Sequence, residues 1–265
     1  LPILSIDYGK QISKDFTLQF KGTFTFARNK VLEYDEAPGL RPGMKTVGRR
    51  LNTFLGYVTN GLYENYTDVE ESPTSTLGNI AISPGDIKYV DQPDANGNYD
   101  GRITSDDRVE IGDPWIPEIV YGFGPSMRWK NWDFSFFFQG QTNVSLIMEN
   151  FEPFGERSAR GVLAWIADDY WSPDYPNVNA KHPRLTRLTN NHNMQVSTYW
   201  LRDASFLKLK NVELGYSYKK ARFYISGSNL LTISPFKHWD PEVGTGAGMQ
   251  YPTQRIFNLG IQMSF

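Results

Sequence analysis

Apolar residues recur at every second position along this chain. In FTLQFKGTFTFARN, Phe16, Leu18, Phe20, Phe24 and Phe26 share one side, and Thr17, Gln19, Lys21, Thr23 and Thr25 share the other. A period of two describes an extended strand with one apolar face, and a helix does not tolerate it. In EIVYGFGPSMRWK, Ile119, Tyr121, Phe123, Met127 and Trp129 oppose Val120, Gly122, Gly124, Ser126 and Arg128. After a turn at Lys130 and Asn131, Trp132, Phe134, Phe136 and Phe138 alternate with Asp133, Ser135 and Gln139, and Phe137 breaks the pattern. The two stretches predict a hairpin with a short turn.

Further on, Val212, Leu214, Tyr216 and Tyr218 face away from Asn211, Glu213, Gly215 and Ser217. The preceding FLKLK is out of phase, which predicts a bulge near Lys210. After another short turn at Lys219 and Lys220, Phe223, Ile225 and Leu231 align in ARFYISGSNLLTIS. The chain ends on QRIFNLGIQMSF, in which Phe257, Leu259, Ile261, Met263 and Phe265 share one face. With a weaker pattern in ILSIDYGK this makes about seven strands, most near the length that crosses a bilayer when tilted. Long irregular stretches, roughly 30–114, 143–197 and 234–252, separate them. Short turns at one end of the strands and long loops at the other is the asymmetry of an outer-membrane barrel.

Bulk properties narrow the partners. The chain of 265 residues carries 27 basic and 29 acidic side chains, a net charge of -2, so no sequence-independent attraction to nucleic acid or anionic lipid is implied. With no cysteine there is no disulfide framework, thiolate metal site or Cys nucleophile. No apolar run is long enough for a membrane helix, and mean hydropathy is -0.47. Barrel strands hide half their residues from lipid, so that value is compatible with a barrel. Aromatic residues make up 15% of the chain, and Trp129, Trp132, Tyr216 and Tyr218 lie near strand ends, where interfacial girdles sit. The chain opens LPILSIDYGK, with neither an initiator Met nor a signal-like segment, so Leu1 is not expected to be the start of the gene product.

Alternation with a polar face also describes a soluble β-sandwich, so a soluble or surface-displayed β-sheet protein that binds glycan without transport remains an alternative. A small self-closed barrel with a structural role is another. Catalysis finds little support. His182, His192 and His238 lack companion motifs, and Asp168 with Asp169 reads as a loop or helix end. One stretch, NGNYDGRITSDD, has the spacing of an EF-hand-type loop. With Gly101 at the sharp turn, the ligands would be Asn96, Asn98, Asp100, the Arg102 carbonyl, Thr104 and Asp107. The other reading is an acidic turn held by Asx hydrogen bonds. Trp165, Tyr170 and Trp171 offer flat faces that could stack on sugar rings or peptide side chains, or simply pack their own loop.

Several of these stretches resemble one family. RDASFLKLKNVELGYSY (202–218), FYISGSNLLTIS (223–234), HWDPEV (238–243) and the Phe-terminated end are similar to SusC/RagA-type TonB-dependent outer-membrane transporters of Bacteroidetes. Upstream, FTFARNKVLEYDEAP, LNTFLGYVTNGLY, PGDIKYVD and DGRITSDDRVEIGDPWIPEIVYGFG follow the family in order, so the resemblance covers nearly the whole chain. It implies an all-β fold: residues 1–265 as the C-terminal strands of a large antiparallel transmembrane β-barrel of the 22-stranded type, with long extracellular loops.

The resemblance implies a nutrient importer of the Gram-negative outer membrane taking up oligosaccharide or peptide, not an enzyme. The implied partners are a SusD-like surface lipoprotein, a preceding barrel and plug segment, TonB acting through that segment, and outer-membrane lipid. The terminal strand resembles the signal read by the barrel-assembly machinery. The family commonly has Asp where Asn96 stands, a departure that removes a charge from the implied calcium loop.

Overall fold

The structure is a computed structural model that describes residues 2–149 and 161–264. Seven strands form one antiparallel sheet in strict chain order: β1 (Ile3–Ser13), β2 (Phe16–Phe26), β3 (Ile119–Trp129), β4 (Trp132–Thr142), β5 (Phe206–Tyr218), β6 (Ala221–Ile233) and β7 (Ile256–Met263). Four of them are 11 residues long. At about 3.3 Å per residue and a tilt of roughly 40°, such a strand rises about 28 Å, the height of a bilayer's apolar band.

Register carries the alternation across strand boundaries. Phe20 lies opposite Tyr8 and Pro125, Leu18 opposite Met127, and Phe134 opposite both Met127 and Leu214. Ile225 then lies between Leu214 and Leu259. The seven apolar stripes thereby merge into one face, and the polar stripes into the other. Phe16, Trp129, Trp132, Tyr216 and Phe223 pair in succession across five strands near the short turns, and the Trp132 and Tyr216 rings stand 4.7 Å apart. This row has the composition of an interfacial girdle.

The bulge falls where the phase break predicts it, with the register shifting between Leu209 and Asn211 opposite β4 and β6. The extra residue lets Leu207 and Leu209 share a face with Val212 and Leu214. Phe137, the exception in its strand, has a local explanation. Its ring lies over Gly122, where an added Cβ would come within 2.7 Å of the ring, so the polar face makes room for one aromatic.

No second layer covers the apolar face among the described residues. Along β7 it exposes Phe257 at 70% and Leu259 at 85%. A soluble sheet protein needs that layer, because contiguous exposed apolar patches beyond several hundred Å² are rare on monomers. The sandwich alternative finds no second sheet over this face among the described residues, and the architecture is that of an open segment of barrel wall.

The three short connections lie at one end of the sheet and the long ones, 27–118, 143–205 and 234–255, at the other. In one respect the long connections differ from the sequence expectation: they are not simply irregular. Thr59–Leu62 pairs with Ile87–Tyr89, Phe54–Gly56 with Val109–Ile111, and Ser145–Ile147 with Leu201–Asp203. Together they enclose a hydrophobic core in which Ile87, Tyr89 and Ile103 from the first connection meet Leu146, Ile166 and Trp200 from the second and Phe236 from the third. We call this unit the cap.

Candidate functional site

The junction between wall and cap is built from charge. Glu118, buried just before β3, accepts from Arg28 Nε (2.9 Å) and Nη2 (2.6 Å), which follows β2, and from Asn143 Nδ2 (3.3 Å), which follows β4. One carboxylate therefore joins the upper ends of three strands. The Arg28 guanidinium holds it below the usual carboxylate range. On β5, Lys208 is fully buried and its ammonium reaches Asp240 (2.5 Å) and Glu242 (2.5 Å), while Lys210 in the bulge reaches the other oxygen of Glu242 at 2.7 Å. The third connection is thus fastened to the polar face of the wall.

Lower on that face, Arg222 of β6 donates to Asp133 of β4 and, at 2.5 Å, to Glu213 of β5. Gly215 lies beneath this cluster, where a Cβ would meet Asp133 Oδ2 and Arg222 Nη2 at 2.5 Å. The polar face thus carries ion pairs, hydroxyls and amides. A groove of about 340 Å³ runs along it between Gln19, Ser126, Ser135, Asn211 and Ser228.

Within the cap, buried Asp86 is the chief polar hub. It accepts from Arg184 Nε (2.7 Å), Asn190 Nδ2 (2.9 Å) and Asn193 Nδ2 (2.8 Å), tying the first connection to the second. Nothing local in the sequence marks this residue, because its partners lie about a hundred positions away.

The three histidines are structural in their surroundings. His192 donates Nε2–H to the Ile87 carbonyl (2.7 Å), which leaves Nδ1 to accept from Ser75 Oγ (3.1 Å). His182 donates Nδ1–H to the Pro183 carbonyl at 2.8 Å, and burial pulls its pKa down to about 4. His238 packs on Trp165, with ring centroids 4.8 Å apart. Asp168 closes the short helix Ala164–Asp168 and Asp169 caps it, as the sequence suggests.

The three candidate substrate aromatics separate. Trp171 is 7% exposed and its ring lies over Gly85, so it presents no face to a ligand. Trp165 packs against His238 and His182 beside the core. Tyr170 keeps a partly open ring at 37% exposure. Trp171 and most of Trp165 thus pack within the cap.

The acidic loop is held together from within. Asp94 accepts from the backbone of Asn96 (2.8 Å) and Asn98 (2.9 Å), closing an Asx turn. Thr104 and Asp107 form a capping box around the turn Ser105–Asp107. Asp100 and Asp107 both receive Arg41, a residue 59 positions before the first of them. Among the described residues no three His, Asp or Glu side chains stand in ligand geometry. Of the assembly-signal residues, Phe257, Leu259, Ile261 and Met263 line the apolar face of the edge strand β7, and Phe265 lies outside the described residues.

The fold and this junction define a class: a segment of transmembrane β-barrel wall that carries an external cap. The chain is also similar over nearly its whole length to TonB-dependent receptors. It is 28% identical to TonB-dependent receptor P3 of Formosa agariphila, over 98% of this chain and 28% of that protein. It is 26% identical to TonB-dependent receptor SusC of Bacteroides thetaiotaomicron, over 98% of this chain and 26% of that protein.

Among solved structures, the RagAB peptide transporter superposes with a TM-score of 0.71 at 23% identity, over 99% of this chain and 29% of that one. The RagAB peptide importer in its open-open state gives 0.70 at 21%. No family model matches. The resemblance seen in the motifs is therefore shared by the whole chain, and the fold is that of the RagAB transporter barrel. The chain spans about a quarter of the length of these relatives.

Proposed function

We propose that this chain is the C-terminal wall segment of a TonB-dependent importer in the outer membrane of a Gram-negative cell. The observation that carries the reading is the seven-strand meander with one uncovered apolar face, in a chain similar from end to end to TonB-dependent receptors. In this reading the apolar face meets lipid and the polar face lines the interior. The strands that satisfy the free edges of β1 and β7 belong to the remaining barrel, since unpaired backbone groups in hydrocarbon cost several kcal/mol each.

The plug and the TonB contact lie in that remainder. The cap forms part of the outer mouth, where a SusD-like lipoprotein would deliver cargo, and β7 serves as the strand recognised by the barrel-assembly machinery. The cargo is an oligosaccharide or a peptide, and Tyr170 is the cap aromatic best exposed to contact it.

Fractionating envelopes of the source cells and probing with an antibody against β7 tests this. A detergent-dependent outer-membrane band much heavier than 30.3 kDa is expected. A water-soluble band at 30.3 kDa would overturn it.

A further inference from the structure

The calcium ion implied for the loop from Asn96 to Asp107 does not fit the donors found there. Both oxygens of the fully buried Asp107 are engaged: Oδ1 accepts from Arg41 Nη1 (2.8 Å) and the Gln92 N–H (3.0 Å), and Oδ2 accepts from the Thr104 N–H (2.6 Å). Asp100 is engaged likewise, with Oδ2 on Arg41 Nη2 (2.6 Å) and Oδ1 on the Arg102 N–H (2.9 Å). The same Nη1 donates to the Gln92 carbonyl at 2.7 Å.

A fourth oxygen completes the picture. Asp91 is 7% exposed, its Oδ2 accepts from the Gly101 N–H (2.8 Å), and its buried Oδ1 accepts no hydrogen bond. That Oδ1 stands 4.0 Å from Arg41 Nη1. Three carboxylates and a backbone carbonyl therefore converge on one guanidinium; they are oxygens of the type a hard divalent cation takes, but with Arg41 among them they are not placed to hold one. A planar fork with fixed donors can bridge several oxygens at once, which a point charge on a flexible stem does less well.

We propose that Arg41 is the built-in cation of this loop. The native cap takes up no divalent ion here, and removal of the guanidinium converts Asp91, Asp100, Asp107 and the Gln92 carbonyl into a divalent-metal site. Charge explains both halves. A metal ion entering the native loop would meet the positive charge of Arg41, whereas the vacated carboxylates would be left uncompensated and partly buried.

The test uses the full-length receptor in detergent and follows hydrogen exchange of peptides covering residues 91–108. The amides of Gln92, Gly101 and Thr104 report directly on Asp107 and Asp91. In the native protein, exchange should be the same within about twofold in EDTA and in millimolar calcium. Arg41→Ala should exchange at least about tenfold faster in EDTA, and calcium should restore protection, tenfold being the reading of about 1.4 kcal/mol in local opening. Arg41→Lys should fall between the two in EDTA.

If Arg41→Ala does not assemble, the native protein and Asp91→Asn carry the test, because both should be indifferent to EDTA. Tenfold faster exchange of the native loop in EDTA overturns the proposal. So does an Arg41→Ala variant that matches the native protein, or one that is labile yet unmoved by calcium.

Discussion

The wall and the cap place the same residue types on opposite sides of their structure. In the wall, Phe257, Leu259 and Ile261 project outward, while Arg222, Asp133 and Glu213 pair on the inner face. In the cap, Ile87, Ile103 and Ile166 are sealed inside a core of their own. Each half follows its solvent. Burial against other side chains stabilises the cap by about 25 cal/mol per Å² of apolar surface removed from water. On the proposed membrane reading, the wall gains nothing comparable by turning its apolar face inward, since lipid is as apolar as a core, and its backbone ladder must meet every hydrogen-bonding need.

Substitutions that behave differently in the two halves would sharpen or break this contrast. The largest effect is expected in the cap. Ile87→Ala should open a cavity in a fully buried site at a cost of about 3–4 kcal/mol. Hydrogen exchange should accelerate across the cap, while the barrel keeps its heat-modifiable migration on a gel. If the barrel migration is lost as well, the two halves are not separable units.

In the wall, Leu259→Arg puts a charge on the lipid face and should cost about 2–3 kcal/mol, read as lower urea resistance in lipid vesicles. Leu188→Arg, on an exposed cap position, should stay within about 0.5 kcal/mol by the same assay. Equal effects at the two positions would remove the assignment of lipid to the outer face.

The remaining effect is one of pH, absent near neutrality and growing as the pH is lowered, and it should be confined to the cap. His182 is neutral in the folded cap down to about pH 4 because burial opposes its charge, whereas an unfolded histidine takes a proton near pH 6.5. Above pH 6.5 both states are neutral and the contribution is fully present. Between pH 6.5 and about 4, unfolding takes up a proton that the folded cap refuses, so stability falls with pH by up to about 1.4 kcal/mol per unit. His192, also held low by burial, adds in the same direction. Exchange in the cap should accelerate through this window, and His182→Gln should flatten the dependence. A wall that loosens over the same range would show that the junction, not the histidine, is titrating.

The wall was legible in the sequence and the cap was not, for a physical reason. A strand with one apolar face writes its geometry into adjacent residues, so Phe16 to Phe26 or Trp132 to Phe138 can be read without knowing any partner. Even the bulge at Lys210 announces itself as a local change of phase. The cap core takes Tyr89, Trp200 and Phe236 from three separate connections, and no period links them. The acidic loop was visible as a spacing of oxygens, but its cation was not, because Arg41 reaches Asp107 across 66 positions. Tyr170 and Trp171 are adjacent and chemically alike, yet their exposures of 37% and 7% follow from tertiary packing alone.

The chain order of the wall also constrains the cap. Each of the cap's three contributions is inserted between consecutive hairpins, after β2, after β4 and after β6. Until those strands lie side by side, the three segments are tethered far apart, and closing such large loops is entropically unfavourable. The cap core therefore depends on the order of the wall: a chain that pairs its strands out of order cannot bring Ile87, Trp200 and Phe236 together.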